Sequence, residues 1–361
     1  MKIPSLTLIL LLIRPDRLPG QATQNQPEAA AIFHHPESRR YWLSGQMNII
    51  YQRHSSFRSP YGGENSLRPE AEHATSRLLT LYTGIQASPS TELLLDLESA
   101  GGRGISDALG LAGFTNLDVV RNPTLGAKPY LARMMLHHVV ALTRETVEND
   151  RSALSLSKDK PVRRFEFRLG KLSTADFFDT NAAGSDSHLQ FMNWTVDNNG
   201  AFDYAADTRG YTYGGVVEYD SAMMSIRFGE MLMPKVANGI HLDWNLRRAH
   251  SENAELELRP RAGTIVRLLN YENHANMGSY REATAAFAKG VDKQPDIEAH
   301  RRQGRLKYGF GVNVEQSLSQ PLRLFGRWGW NEGKNESFAY TEVNESMAVG
   351  GRSARSALAP P

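Results

Sequence analysis

YWLSGQMNIIY, residues 41–51, separates into two chemical sets when alternate residues are grouped. Tyr41, Leu43, Met47, Ile49 and Tyr51 fall on one face; Trp42, Ser44, Gln46, Asn48 and the following Gln52 fall on the other. A β-strand keeps these sets apart because successive side chains leave opposite faces, whereas a helix mixes them. The apolar face carries a tyrosine at each end. Such rings sit where hydrocarbon meets lipid headgroups, so the placement fits the aromatic girdle of a membrane barrel.

The same period recurs along the chain. Leu79, Leu81 and Ile85 alternate with Thr80, Tyr82 and Gln86, and Leu93, Leu95 and Leu97 with Glu92, Asp96 and Glu98. Ala132, Met134 and Leu136 alternate with Arg133 and His137, and Phe165, Phe167 and Leu169 with Arg164, Glu166 and Arg168. Further repeats pair Val217 and Tyr219 with Glu218, Ile226 and Phe228 with Arg227, and Leu256 with Glu255 and Glu257. Phe310 and Val314 alternate with Asn313 and Glu315, and Leu324 and Trp328 with Arg323 and Arg327. Ile265 to Tyr271 is periodic without a clear inward face, and a shorter strand is expected near Phe338 to Val343. About twelve strands of roughly ten residues result, the size expected of an outer-membrane barrel. Links at 53–75, 100–129, 173–210, 233–252 and 274–303 are long and polar, while those at 88–90, 220–221, 259–263 and 318–320 are tight turns. Long loops at one end and short turns at the other are a barrel's connectivity. Residues 144–162 break this rule: the link is long at the short-turn end.

Composition narrows the class. The 361 residues carry Lys+Arg 41 against Asp+Glu 39, a net charge of +2, so no nucleic-acid partner is expected. Interior apolar runs fall short of the roughly 20 residues a spanning helix needs. Cys is 0, which excludes disulfide scaffolds and thiol nucleophiles and suits an oxidising envelope compartment. Lys2, the apolar run Leu6 to Ile13 and the small residues of Gly20-Gln21-Ala22 read as a secretory signal over 1–22. Residues 23–39 read as a flexible lead-in, 40–349 as the barrel and 350–361 as a tail without alternation.

A charged inward face makes the lumen the functional surface. Arg133, Arg164, Glu166, Arg168, Glu218, Arg227, Lys307, Arg323 and Arg327 are its candidates. Mixed signs suit a neutral, hydroxyl-rich solute that exchanges water for charged hydrogen-bond partners. The same groups can instead brace the wall as mutual ion pairs. Residues 173–210 form a long loop dense in Asn and Asp and studded with Phe177, Phe178, Phe191, Trp194, Phe202 and Tyr204. Its aromatic faces suit sugar rings; folded inward, it would narrow the bore. The alternative is an outer loop whose aromatics form a small core of their own. No His-Glu-x-x-His, Gly-x-Ser-x-Gly or Gly-Lys-Ser is present, and His34-His35 and His137-His138 are neighbours that a strand points to opposite faces. No catalytic residue, metal or cofactor is therefore expected. A barrel-embedded envelope hydrolase and a soluble carbohydrate-binding β protein are the competing readings.

Four segments carry a family resemblance: FEFRLGKLSTADFFDTN (165–181), QFMNWTVDNNGAFDYAADTRGYTYGG (190–215), NAELELRP (253–260) and RLLNYENHANMGSY (267–280). They resemble the carbohydrate-selective, OprB-like porins. The resemblance implies an outer-membrane barrel of sixteen antiparallel strands, of which about twelve are present, with passive diffusion of mono- and small oligosaccharides. It places the family's inwardly folded constriction loop on 173–210. It also implies sugar contacts at Arg168, Lys171, Asp176, Asp179, Asn181 and Arg209, outer-membrane lipid around the belt, and a monomer or homotrimer. A complete member should continue for about four more strands, so the RSARSALAPP ending is expected to mark a truncation or frame change near Gly350.

Overall fold

Where apolar and polar residues alternate, the chain does form strands. The computed structural model describes residues 40–63, 66–108, 125–185, 190–319, 322–339 and 343–353. The expected signal and lead-in over 1–39 lie outside the described residues, as do 354–361 of the expected tail. β1 (Tyr41–His54), β2 (Glu72–Ser88), β3 (Thr91–Gly102) and β4 (Tyr130–Ala141) lead into a small hairpin, β5 (Thr146–Glu148) and β6 (Asp159–Pro161). After it come β7 (Arg164–Leu172), β8 (Thr212–Asp220), β9 (Met224–Leu232), β10 (His250–Arg261) and β11 (Thr264–Met277). β12 (Arg302–Ser317), β13 (Leu322–Asn331) and β14 (Glu345–Ser353) complete the set. Twelve strands make one antiparallel sheet in the order β1-β2-β3-β4-β7-β8-β9-β10-β11-β12-β13-β14. Among the described residues β1 and β14 are its two unpaired edges, so this barrel-type sheet is open between them.

The register decides which side chains share a face. Phe165 pairs with Tyr219 and Phe167 with Val217 on one side; Glu166 pairs with Glu218, and Glu218 with Arg227, on the other. Leu93 is 45% exposed, Phe167 41% and Phe310 41%, whereas Arg164, Glu166 and Arg168 are buried. Leu79, Leu81, Leu136, Val217, Ile226, Phe228, Val314 and Leu324 are exposed on the same outer face. A continuous apolar surface of this extent is stable against acyl chains and not against water. This overturns the soluble reading, in which those side chains would form an internal core. No described helix is long and apolar enough to cross a membrane.

Two local expectations are corrected and one open face is assigned. Ala132 is buried rather than outward, because a bulge between Asp96 and Leu97 puts an extra residue into β4 beside Arg133. Phe338, Ala339 and Val343 lie outside any strand, and 340–342 are outside the described residues. The strand expected there is β14, which starts at Glu345 and carries 350–353 into pairing with β13. The inward side of β11, which alternation left open, holds Arg267, Leu269, Tyr271, Asn273, Ala275 and Met277. Of these, Tyr271 meets Ala201 and Phe202 in the loop that follows β7.

Candidate functional site: the charged lumen and the inward loop

Along the inner wall, cations and carboxylates meet across neighbouring strands. Arg133 pairs with Asp96 and, at 2.5 Å, with Asp176. Arg164 reaches Glu166 at 2.6 Å and pairs with Asp220. Arg168 pairs with Glu166 and, at 2.9 Å, with Glu218. Arg227 spans Glu218 at 2.8 Å, Glu255 at 2.6 Å and Glu257 at 3.1 Å. Arg267 continues the belt to Glu257 at 2.8 Å and Glu315 at 2.5 Å, and Arg323 meets Glu315 at 3.5 Å. Removing two charges from water costs several kcal/mol per ion unless geometry is good, so this belt holds only because each charge has partners on adjacent strands. Most of these groups brace the wall. Of the predicted set, Arg323 remains partly open to the bore.

The described residues of the link after β7 pack against the inner wall. Its entry is held by the backbone N–H of Asp179 donating to Glu255 at 2.6 Å, and by the Asn181 amide donating to Asn313 at 2.8 Å. Arg327 donates to the carbonyls of Asp179 at 2.8 Å, Gly184 at 3.1 Å and Asp197 at 2.9 Å, while its Nε lies 2.8 Å from the Asp179 carboxylate. Further along, Phe202 packs against Tyr271 with the rings tilted and their centroids 5.2 Å apart, and the Tyr271 hydroxyl donates to the Ala201 carbonyl at 2.8 Å. Lys307 meets Asp203 at 3.4 Å and donates to Ser337 at 2.6 Å. Glycines on the wall make room: a Cβ on Gly229 would lie 2.9 Å from the Phe178 ring, and one on Gly309 2.7 Å from Tyr271.

Five of the loop and lumen candidates, Asp179 and Asn181 among the expected sugar contacts, pack as anchors. Phe178, Asp179, Asn181, Lys307 and Arg327 are buried between loop and wall. Their residue types suit a sugar, but the loop's own need for a seat claims them first. Burial pushes the Asp179 carboxyl upward against the pull of Arg327. Trp194 opens a short helix, α1 (Trp194–Asp197), capped by the Asn193 side chain, and stays half-buried.

The accessible polar groups gather where the loop re-enters the wall. The Arg209 guanidinium lies 3.8 Å from the centre of the Tyr130 ring. The Tyr130 hydroxyl donates to Glu98, and Tyr211 donates to the same carboxylate at 3.2 Å. Lys171 lies over the Tyr211 ring at 5.9 Å and donates to the Leu131 carbonyl at 2.7 Å. Arg209, Lys171, Tyr130, Tyr211 and Asp176 are all half-buried. Beneath them, burial pushes the Asp207 carboxyl upward, opposed by Lys171. Alternation already put Glu98 on the polar face; Tyr130 and Tyr211, at strand starts beside long links, had no periodic signal. Among the described residues no cluster of His, Asp and Glu has the arrangement of a metal site.

An antiparallel sheet with an apolar belt outside, a charged lumen and a loop anchored within defines a diffusion channel of the outer membrane. Comparison with known families gives that class its name. The chain matches "Carbohydrate-selective porin, OprB family" over residues 65–343, and it belongs to that family. It is a carbohydrate-selective outer-membrane porin, through which sugars diffuse passively. Among solved structures it is similar to Pseudomonas putida OprB at high pH, with 12% identity and a TM-score of 0.58, covering 86% of this chain and 70% of that one. It also matches Salmonella typhi OmpF in complex with daunomycin at 8% identity and a TM-score of 0.38, covering 89% and 87%. No curated protein matches the chain.

Proposed function

We propose that neutral mono- and small oligosaccharides pass between the inward loop and the wall of β3, β4 and β7, touching Tyr130, Arg209, Tyr211, Lys171 and Asp176. The observation that carries this reading is the guanidinium of Arg209 stacked on Tyr130, whose hydroxyl reaches Glu98. Aromatic rings offer an apolar face to the C–H side of a sugar, and the flanking charges exchange its hydroxyls from water. The charges elsewhere on the wall are paired, so an ion gains little from them. A neutral polyol loses water to many partners and binds none tightly, which a conducting site requires. Liposome swelling tests the proposal: neutral sugars should enter faster than zwitterions of equal size. Equal rates would reduce the chain's selectivity to size alone and sink the assignment of this cluster.

A further inference from the structure

The link between β4 and β7 stands at the end of the sheet where the other connections are tight turns, yet it runs through 142–163 and forms its own hairpin, with Val147 opposite Lys160. It does not project away from the sheet. Leu156 is 2% exposed and sits in a socket left by Gly84, where a Cβ would lie 3.0 Å from it. The Leu156 N–H donates to Glu92 at 3.0 Å, the Ser157 hydroxyl donates to the same carboxylate at 2.7 Å, and Gln86 donates to Ser157 at 3.1 Å. Lys160 lies 3.2 Å from Glu166, and His137 stands between Glu92 at 3.0 Å and Glu166 at 2.8 Å. Arg151 crosses to the Tyr41 carbonyl at 3.2 Å and lies over Trp42.

Glu92 and Glu166 are each 1% exposed. Carboxylates are held so far from water only when their partners are built in, and several of these partners come from 142–163. The segment is thus a fitted part of the lumen. Its seat also differs from the deep anchors of the inward loop. Residues 142–163 rest on β1, β2, β3 and β7, whereas the deep anchors of the loop are on β10, β11, β12 and β13 through Glu255, Tyr271, Asn313 and Arg327; the two ends of the loop also reach β3 and β4 through Tyr211 and Asp176.

We propose that residues 142–163 form a second constriction, at the turn end of the lumen and on strands other than those of the loop's deep anchors, which sets the upper size of the sugar that leaves. Two obstacles with different main seats at opposite ends make a solute change course, so length is selected separately from chemistry. This rests on the channel reading, but its readout is size dependence and not the preference for sugars over zwitterions.

The test uses the full chain in planar bilayers and liposomes. Replacing 145–162 by an Asn-Gly turn should raise single-channel conductance by about twofold or more, because a narrow segment dominates the resistance of a pore. Entry of trisaccharides should rise relative to monosaccharides, with the sugar-to-zwitterion ratio unchanged. Unaltered conductance and size dependence would overturn the proposal. A variant that fails to fold is bypassed by single cysteines at the exposed positions Glu148, Asp150 and Ser152, in a chain that has none of its own. A bulky thiol reagent should then lower conductance in at least one of the three; three unaffected channels would also overturn it. Loss of sugar preference in the unmodified protein would instead count against the sugar-contact cluster.

Discussion

Arg327 on β13 and Asp179 in the inward loop lie 2.8 Å apart, each with a side chain only 1% exposed. The same guanidinium holds the carbonyls of Gly184 and Asp197, so one side chain ties three points of the loop to the wall. Breaking a buried pair by removing one partner costs about 3–5 kcal/mol, since the other charge is left behind. R327A should therefore lower the temperature at which the barrel unfolds and become modified by heat at milder conditions on a gel. It should also raise conductance, because the loop loses its clamp. A channel of unchanged conductance would show that the remaining anchors suffice.

At the solute-facing cluster, Y130F keeps the ring beneath Arg209 and removes the hydroxyl that reaches Glu98. One hydrogen bond of about 1 kcal/mol corresponds to roughly a fivefold change, so swelling rates for sugars should fall by up to that factor. Y130A removes the stacking platform as well and should fall further. Zwitterion rates should move in neither variant. A parallel fall for both solutes would mean that the substitution merely deforms the bore.

The lipid-facing belt predicts a depth-dependent penalty. Phe167 points outward between Phe165 and Leu169 on β7. F167R should cost about 2–4 kcal/mol if the position lies near the bilayer midplane, and reversible unfolding in lipid vesicles measures it. R168A on the opposite face should destabilise for a different reason, leaving Glu166 and Glu218 short of a partner. Insensitivity of the barrel to F167R would contradict a membrane belt.

Asp207 gives a pH prediction. Burial raises its proton affinity above that of an ordinary aspartate. As pH falls it therefore loses its charge earlier than exposed aspartates do, and the neighbouring Lys171 and Arg209 lose a negative neighbour. The mouth becomes more positive, so reversal potentials in a salt gradient should shift toward anion preference on acidification. D207N should show that shift already at neutral pH. A D207N channel with wild-type pH dependence would assign the titration to another group.

The period of two was sufficient to place Phe165, Glu166, Phe167 and Arg168 on their correct faces, because lipid and lumen impose opposite chemistry on alternate residues. It failed where the inner wall is not wet. Tyr271 and Leu269 point inward yet are apolar, since the loop residues Ala201 and Phe202 cover that part of β11. Arg267 was hidden among them for the same reason. Phe178 was legible as an aromatic in a functional loop, but its seat against Gly229 depends on two segments far apart in the chain. The hairpin within 142–163 was visible only as a link too long for its place.

Sequence alone determined the class of this protein: the alternation, the loop lengths and the family segments each reflect local chemistry that a bilayer and an aqueous bore demand. Only the tertiary structure decided which charges meet solute and which brace the wall. That choice turns on partners from neighbouring strands, as Arg227 on β9 shows by joining Glu218 of β8 to Glu255 and Glu257 of β10. Whether a buried charge is a brace or a contact depends on how completely its field is met by others, and no period along one strand records that.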